Sequence, residues 1–159
     1  MKFGGVLLIV KDINKSKKFY EDVMEQKITL DLGEHVSFEN GFGLQSNYKA
    51  IIGYDLPIYQ QSNNFQLYFE VNDIKQWESK INRIGNIEFL HYIKEYPWGQ
   101  RTFRFYDFDK NIIEISESME SVIKRLLKQG LALEEISKRT MYPVEFITQF
   151  LSLIHISEP

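Results

Sequence analysis

An internal repeat constrains the fold of this chain more than any other feature of its sequence. Val10-Lys11-Asp12-Ile13 closes an apolar run and opens a helical pattern, and Val71-Asn72-Asp73-Ile74 does the same later in the chain. In each copy the aspartate is a predicted N-cap of the helix. Short apolar segments separated by turn residues follow each helix, so each copy has the order strand, helix, strand, strand, strand. Two such copies indicate that neither buries its sheet face alone, and they predict an α+β fold of two tandem modules.

Hydrophobic periodicity and turn residues divide both copies into predicted elements. The first copy is predicted to contain a strand at 3–10, a helix at 13–24 and strands at 28–32, 35–38 and 42–45. The second copy is predicted to contain a strand at 65–71, a helix that begins at 74 and is ended by Gly85, and strands at 87–91, 101–106 and 112–115. Residues 46–64 form a connecting loop, with one helical turn at 48–52, whose length is typical of a lid or rim.

The stretch from Glu95 to Glu117 carries the residues most useful for assigning a site. It contains a Pro97-Trp98-Gly99 corner, an aromatic-rich strand, the polar turn Asp107-Phe108-Asp109-Lys110-Asn111 and a strand of isoleucines. One carboxylate, Glu114, lies among those isoleucines. An acid in an apolar strand costs free energy unless its face is wet or it has a partner. Glu114 therefore marks either a pocket or a buried polar contact.

Composition and charge exclude several classes of function. The chain of 159 residues has no cysteine, which excludes thiolate catalysis, disulfides and thiolate zinc sites. Its net charge of −3 provides no footprint for non-specific binding to nucleic acid and no basic surface for a membrane. No apolar run reaches membrane-spanning length, and the N-terminus lacks the features of a secretory signal. We therefore expect a soluble cytoplasmic protein.

Helical patterns replace the strands after residue 117. Helices are predicted at 118–129, 133–140 and 143–150, and we treat 118–150 as a helical appendage to a domain of residues 1–117. The appendage resembles the opening of a helix-turn-helix, but its candidate reading helix has no lysine or arginine, so a cap on the domain or a dimer contact is expected instead. Residues 151–159 resemble a translated adapter from sequencing-library preparation, and we expect them to be non-native.

The duplicated unit resembles the vicinal oxygen chelate superfamily. The residues that carry this resemblance are Ser16-Lys17-Lys18-Phe19-Tyr20 on the first helix and Asp107-Phe108-Asp109-Lys110-Asn111-Ile112-Ile113-Glu114-Ile115 near the end of the second unit. The superfamily includes glyoxalase I, extradiol dioxygenases, bleomycin-resistance proteins and fosfomycin-resistance enzymes. The resemblance covers about residues 1–117, and it implies two βαβββ modules that curl into a half-open barrel around a pocket, in a protein that forms homodimers. This fold hosts several chemistries as well as plain binding.

The metal enzymes of this superfamily hold a divalent ion with ligands from the first and last strands of each module. Carried over to this sequence, those positions are Gly5, Gln45, Gln66 and Glu114. Glycine has no donor atom and glutamine carbonyls are weak neutral ligands, whereas transition ions prefer imidazole or carboxylate. The resemblance therefore leaves Gln66 and Glu114 as metal-ligand candidates, and we expect no obligatory metal.

Strand alternation supports part of the pocket independently. With the odd-numbered residues of 65–71 packed under the helix, Gln66 and Tyr68 face the opposite way. Trp98 lies in a corner that looks like the corresponding segment of bleomycin-resistance proteins and is a candidate stacking surface, with Arg101 nearby as a hydrogen-bond donor. Two alternatives stay open: Trp98 packs in the core, or the glutamines only satisfy the carboxylate.

Two functions remain after these exclusions. The leading hypothesis is a glyoxalase-like or bleomycin-resistance-like domain that binds a small organic molecule without an obligatory metal, in a pocket lined by Gln45, Gln66, Tyr68, Trp98, Arg101 and Glu114. The alternative is a metal-dependent lyase or isomerase of the glyoxalase I type. In that enzyme Glu114, Gln66, Gln45 and water would hold a divalent ion that polarises vicinal oxygens.

Overall fold

The predicted repeat is present as two four-stranded sheets, each with its own helix. A computed structural model describes residues 1–157, with side chains described to residue 153. The first module consists of β1 Val6–Ile9, α1 Ile13–Lys18 continued by a π-helical turn Phe19–Val23, β2 Ile28–Asp31, β3 His35–Phe38 and β4 Phe42–Gln45. Its strand order is β1-β4-β3-β2, with β1 parallel to β4 and the other pairs antiparallel. A short helix, α2 Tyr48–Ile52, follows in the connecting segment.

The second module repeats this arrangement. It consists of β5 Gln66–Val71, α3 Ile74–Asn82, β6 Phe89–Glu95, β7 Arg101–Tyr106 and β8 Ile112–Glu117. Its strand order is β5-β8-β7-β6, with β5 parallel to β8 and the other pairs antiparallel. The α+β fold of two tandem βαβββ modules is therefore confirmed. The half-open barrel concerns the arrangement of the two sheets and stays a prediction.

The two anchor aspartates explain where the module helices begin. Asp12 Oδ1 accepts a hydrogen bond from the backbone N–H of Lys15 at 3.1 Å, and Asp73 Oδ1 accepts one from the backbone N–H of Gln76 at 3.1 Å. Each bond satisfies one of the N–H groups that the first turn of a helix leaves without a backbone partner. Both predicted N-caps are confirmed.

Each sheet buries apolar side chains against its module helix. In the first module, the Tyr20 ring lies 5.9 Å from the Phe38 ring and 5.3 Å from the Phe42 ring, measured between centroids. In the second module, α3 packs against β7 and β8. The buried residues of this second core are Ile74, Ile81, Phe103, Phe105, Ile113 and Ile115.

The turn between β7 and β8 stabilises the start of the first helix. The chain divides into two compact units, residues 1–64 with 108–111, and residues 65–107 with the chain from 112 onward. Within the first unit, Asp109 accepts hydrogen bonds from the backbone N–H of Lys11 at 2.9 Å and from the Ser16 hydroxyl at 3.1 Å. The second aspartate of the Asp-x-Asp pattern therefore has a structural role.

Three helices follow the second sheet: α4 Met119–Lys128, α5 Leu133–Thr140 and α6 Val144–Ser157. Buried apolar residues from all three form a common core, namely Val122, Ile123, Leu126, Ile136 and Ile147. The last helix continues past its predicted end at 150 into the segment expected to be non-native, and residues 158 and 159 of that segment lie outside the described residues. Within the described part of the chain, no helix is both long and apolar enough to cross a membrane.

Candidate functional site

The register of the second sheet places an arginine opposite Glu114. In the antiparallel pair of β7 and β8, Arg104 is the partner of Glu114, and in the parallel pair of β5 and β8, Tyr68 is its partner. Side chains alternate along a strand, so Arg104, Glu114 and Tyr68 share one face of the sheet. The opposite face carries Phe105 and Ile113, which are buried on the side of α3.

Glu114 is a buried carboxylate with an internal partner for each oxygen. Only 7% of the residue is exposed. Its Oε2 lies 2.8 Å from Arg104 Nη2 and also accepts a hydrogen bond from the Gln66 amide. Its Oε1 accepts a hydrogen bond from the Ser116 hydroxyl at 2.7 Å. A buried carboxylate is stable when it is both paired and hydrogen-bonded, and Glu114 meets both conditions.

Arg104 is the centre of a polar group that we name the Arg104 cluster, formed with Glu114, Gln66, Tyr96 and His91. Besides pairing with Glu114, the guanidinium donates to Gln66 Oε1 at 3.1 Å, to the Tyr96 hydroxyl at 2.6 Å and to His91 Nε2 at 3.0 Å. Burial alone would lower the pKa of Arg104, but the Tyr96 hydroxyl and the Glu114 carboxylate outweigh it, so the pKa is raised above its ordinary value. The cluster therefore fixes a permanently charged guanidinium in one orientation.

His91 is held in this cluster as a neutral acceptor. An arginine can only donate, so His91 Nε2 accepts from Arg104. The Nδ1 atom then carries the proton and donates to the backbone carbonyl of Tyr92 at 2.8 Å. This tautomer follows from the identity of the two partners. The contacts of His91 thus serve to position Arg104.

The structure brings some of the sequence-predicted residues together and separates others. Gln66 and Glu114 are hydrogen-bonded to each other. Arg101 precedes Arg104 by an odd number of residues and therefore lies on the other face of β7, where its Nε is 3.1 Å from Glu117 Oε1. The arginine that meets Glu114 is Arg104, which the sequence pattern did not single out.

A signal for Arg104 is nevertheless present in the sequence. When Asp107–Asn111 is taken as the turn, Tyr106 pairs with Ile112, and two steps back on each strand bring Arg104 opposite Glu114. Tyr96 and His91 have no comparable signal, because the pairing of β6 with β7 contains register shifts. The partners contributed by β6 and by Tyr96, the residue directly after it, therefore require the structure.

Gln45 belongs to the first module, where its amide has local partners. Its Oε1 accepts a hydrogen bond from His35 Nδ1 at 3.1 Å, and its Nε2 donates to the backbone carbonyl of Ser46 at 2.9 Å. His35 and Gln45 are paired residues of β3 and β4. Gln45 is buried, and these contacts engage both ends of its amide.

Trp98 lies at the corner between β6 and β7, where its neighbours orient the indole. The ring stacks on Tyr96, with 4.6 Å between centroids and an interplanar angle of 5°. Its Nε1 donates to Gln100 Oε1 at 2.9 Å, and Gln100 Nε2 donates in turn to the Tyr68 hydroxyl at 3.3 Å. Trp98 is still 39% exposed. One indole face is therefore covered by a partner, while part of the ring remains accessible.

A pocket of about 390 Å³, which we name the Trp98 pocket, adjoins this indole. Its lining residues are Tyr68, Glu70, Trp98, Gln100, Met119, Thr140, Met141 and Tyr142. The second module thus provides one side of the pocket and the appendage provides the other. The Tyr68 hydroxyl donates to the Glu70 carboxylate at 2.9 Å. Burial, reinforced by this bond, raises the pKa of Tyr68 to about 12, so the phenol stays protonated at neutral pH.

The positions at which the sequence resemblance predicts metal ligands do not provide a suitable donor set. Gly5 has a φ of +134°, and a Cβ there would clash with the carbonyl oxygen of Gly41, so the backbone has no room for a liganding side chain. The Gln45 amide is engaged locally, and Glu114 is neutralised by Arg104. Among the residues that the structure describes, no group of three or more His, Cys, Asp or Glu residues could hold a metal ion.

Comparisons with known proteins agree with this architecture. The family described as glyoxalase-like domain matches residues 3–120. The structure of a protein of unknown function from Agrobacterium tumefaciens str. C58 shares 36% sequence identity and a TM-score of 0.65, covering 74% of this chain and 94% of that chain. No curated protein matches the chain.

Two solved structures with named activities are similar at lower identity. A fosfomycin resistance protein from Listeria monocytogenes shares 18% identity and a TM-score of 0.59, covering 74% of this chain and 93% of that chain. A lactoylglutathione lyase from Agrobacterium tumefaciens shares 20% identity and a TM-score of 0.56, with the same coverage of 74% and 93%. At these identities the likeness shows the fold alone. The family match ends at residue 120, so most of the appendage lies outside it.

Proposed function

Since the chain belongs to the glyoxalase-like domain family, we propose that it binds a small organic molecule, without an obligatory metal, in the Trp98 pocket. One observation carries the proposal. Among the superfamily's ligand positions, the one that holds a carboxylate here, Glu114, is neutralised by Arg104. Its strand neighbour Tyr68 lines a pocket with an exposed indole. The charged side chains on this face of the sheet thus pair with each other, and the accessible surface beside them is aromatic.

The ion pair disfavours a metal at Glu114 for a physical reason. A divalent ion would have to displace the guanidinium of Arg104 from Oε2 and the hydroxyl of Ser116 from Oε1. The displaced guanidinium would remain charged beside the ion, and repulsion between like charges is strong in a mostly buried site. Metal-dependent chemistry of the glyoxalase I type is therefore the less favoured alternative.

The volume and the lining of the Trp98 pocket support the proposal that it binds a small molecule. Its volume of about 390 Å³ falls within the roughly 300–1,000 Å³ that is usual for ligand pockets. An aromatic surface, an amide and a carboxylate converge there, from Trp98, Gln100 and Glu70. The stack on Tyr96 and the bond to Gln100 hold the indole before a ligand arrives, which lowers the ordering cost of binding.

The proposal assigns different roles to the residues predicted from the sequence. Tyr68 and Trp98 contact the ligand. Gln66 and Glu114 do not contact it but hold Arg104, which in turn positions Tyr96. The proposal gives Gln45 and Arg101 no contact with the ligand, because each is engaged with other partners.

A thermal-shift panel on chelator-treated protein tests the proposal. The full chain is melted with Ni²⁺, Zn²⁺, Mn²⁺ or Fe²⁺, and separately with a set of aromatic neutral, cationic and anionic organic molecules. We expect at least one organic molecule to raise the melting temperature and the metals to leave it unchanged, because only a ligand that binds the native state stabilises it. Trp98→Leu should remove the organic shift, and Trp77→Phe on α3 should retain it.

The opposite pattern would overturn the proposal. A stoichiometric divalent metal in the purified protein, together with a metal-dependent shift that is lost in Glu114→Gln, would establish the metal-dependent alternative. A panel in which no organic molecule shifts the melting temperature would also contradict the proposed binding function.

A further inference from the structure

We infer that the ligand of the Trp98 pocket is an organic cation, and that the helical appendage provides the wall that selects it. The inference rests on the proposed binding function and adds the chemical class of the ligand. It is carried by the composition of the lining, which combines three aromatic rings, two methionines, one carboxylate and no basic side chain. These residues are Tyr68, Trp98, Tyr142, Met119, Met141 and Glu70.

Two of the aromatic rings are fixed by stacking partners. Trp98 stacks on Tyr96, and Tyr142 stacks on Phe146 with 4.9 Å between centroids and an interplanar angle of 15°. A cation is attracted to the face of an aromatic ring by the ring quadrupole, most strongly for tryptophan. Rings that are already held lose little conformational freedom when they receive a ligand. Aromatic side chains gathered in one pocket are a common means of recognising quaternary ammonium groups.

Glu70 supplies the only formal charge of the lining. Its carboxylate accepts a hydrogen bond from the Tyr68 hydroxyl and forms no ion pair with any described residue. The phenol of Tyr68 is neutral at neutral pH, so the lining carries one negative charge that no cation of the lining offsets. A positively charged ligand offsets this charge, whereas an anion is repelled by it.

The appendage contributes a side chain that its own fold does not require. Met141 ends α5 in the left-handed conformation, with φ at 67°, and is 87% exposed. Glycine is the usual residue at such a position because any Cβ is strained there. A large apolar side chain, exposed and strained at the rim of a pocket, is explained by contact with a ligand. Methionine also adapts to the shape of what it contacts.

The test compares three soluble aromatic probes of different charge: benzyltrimethylammonium, benzyl alcohol and benzenesulfonate. Binding to the full chain is followed by NMR through the indole N–H resonances of its two tryptophans, assigned with Trp77→Phe. We expect saturable movement of the Trp98 resonance with the cation. The affinity of the cation should exceed that of benzyl alcohol by about tenfold, which is the gain expected from one cation–π contact that is partly shielded from water. Benzenesulfonate should not bind.

Matched variants separate the two parts of the inference. Glu70→Gln should weaken cation binding about tenfold, while Glu134→Gln, an equal change of charge at an exposed site on α5, should not alter it. Tyr142→Leu should weaken binding at least about fivefold. Met141→Gly should raise the melting temperature, because it removes the strain, and yet weaken binding. If Met141 had a purely structural role, a higher melting temperature would not be accompanied by weaker binding.

Three results would contradict the inference or one of its parts. Equal or tighter binding of benzyl alcohol or benzenesulfonate would overturn the cation inference and leave the binding function standing. Undiminished binding in Tyr142→Leu and Met141→Gly would overturn the role of the appendage. If the cation does not saturate the Trp98 resonance up to about 10 mM, the inference fails whatever the thermal-shift panel shows.

Discussion

At the scale of one residue, Gly5 prevents the first module from providing a metal ligand at this position. It occupies a position at which the sequence resemblance predicts a metal ligand, and here the fold uses its backbone and not a side chain. The carbonyl of Gly41 accepts a hydrogen bond from the N–H of Val6 at 3.0 Å, and this oxygen fills the space that a Cβ of Gly5 would need. The sequence shows a missing donor at this position, but only the structure shows that a donor cannot be restored.

Gly5→Ala should therefore destabilise the protein by about 2–4 kcal/mol, through the positive φ and the clash with Gly41 together. The matched control is Gly4→Ala, because a Cβ at Gly4 meets nothing within 4 Å and should change stability by no more than about 0.5 kcal/mol. Urea unfolding measures both. Equal stability of the two variants would show that the chain relaxes at Gly5, and Gly5→His would then become a reasonable way to rebuild a metal ligand.

The hairpin of β7 and β8 shows, at the scale of an element, what could be predicted and what could not. Its strands and turn follow from local pattern, because aromatic and β-branched residues flank a polar turn. Its register follows from counting outward from that turn, which pairs Arg104 with Glu114. Arg101 follows the Pro97-Trp98-Gly99 corner closely in sequence, but the alternation of faces along β7 directs it to Glu117 and not to Glu114. The contacts of Tyr96 depend on an irregular strand pairing, and Tyr142 reaches the pocket from the distant connection between α5 and α6, so local sequence carries no sign of either.

A double-mutant cycle across this hairpin tests the ion pair. Glu114→Gln and Arg104→Met should each cost roughly 2–4 kcal/mol of unfolding free energy, because each leaves a mostly buried charge without its partner. The double variant should cost less than the sum of the two. The control cycle uses the exposed pair of Lys17 and Asp31, 3.1 Å apart, where the coupling should be much weaker because water screens the two charges. Strict additivity at Arg104 and Glu114 would contradict the role assigned to their contact.

At the scale of the molecule, the second module and the appendage are one unit of the chain. Arg125 of α4 joins them: it donates to Glu95 Oε1 at 2.8 Å and to Glu117 Oε2 at 2.9 Å, and also to the carbonyl oxygen of Gly99. Val122 lies beside the same glycine, close to where a Cβ would be. The Pro-Trp-Gly corner that holds Trp98 is thus also the point at which α4 meets the sheet, so the geometry of the Trp98 pocket depends on this junction.

Arg125→Ala should consequently lower the unfolding free energy of this unit by about 3 kcal/mol, since Glu117 is only 4% exposed and would keep a single cationic partner, Arg101. Tryptophan fluorescence reports this transition selectively, because both tryptophans of the chain lie in the unit. Arg125→Lys should recover only part of the loss, as one ammonium group cannot reproduce the planar fork. The neighbouring Lys124→Ala, which breaks an exposed pair with Glu120, should cost about 0.3–0.5 kcal/mol. If Arg125→Ala costs no more than that, apolar packing alone holds the appendage to the sheet.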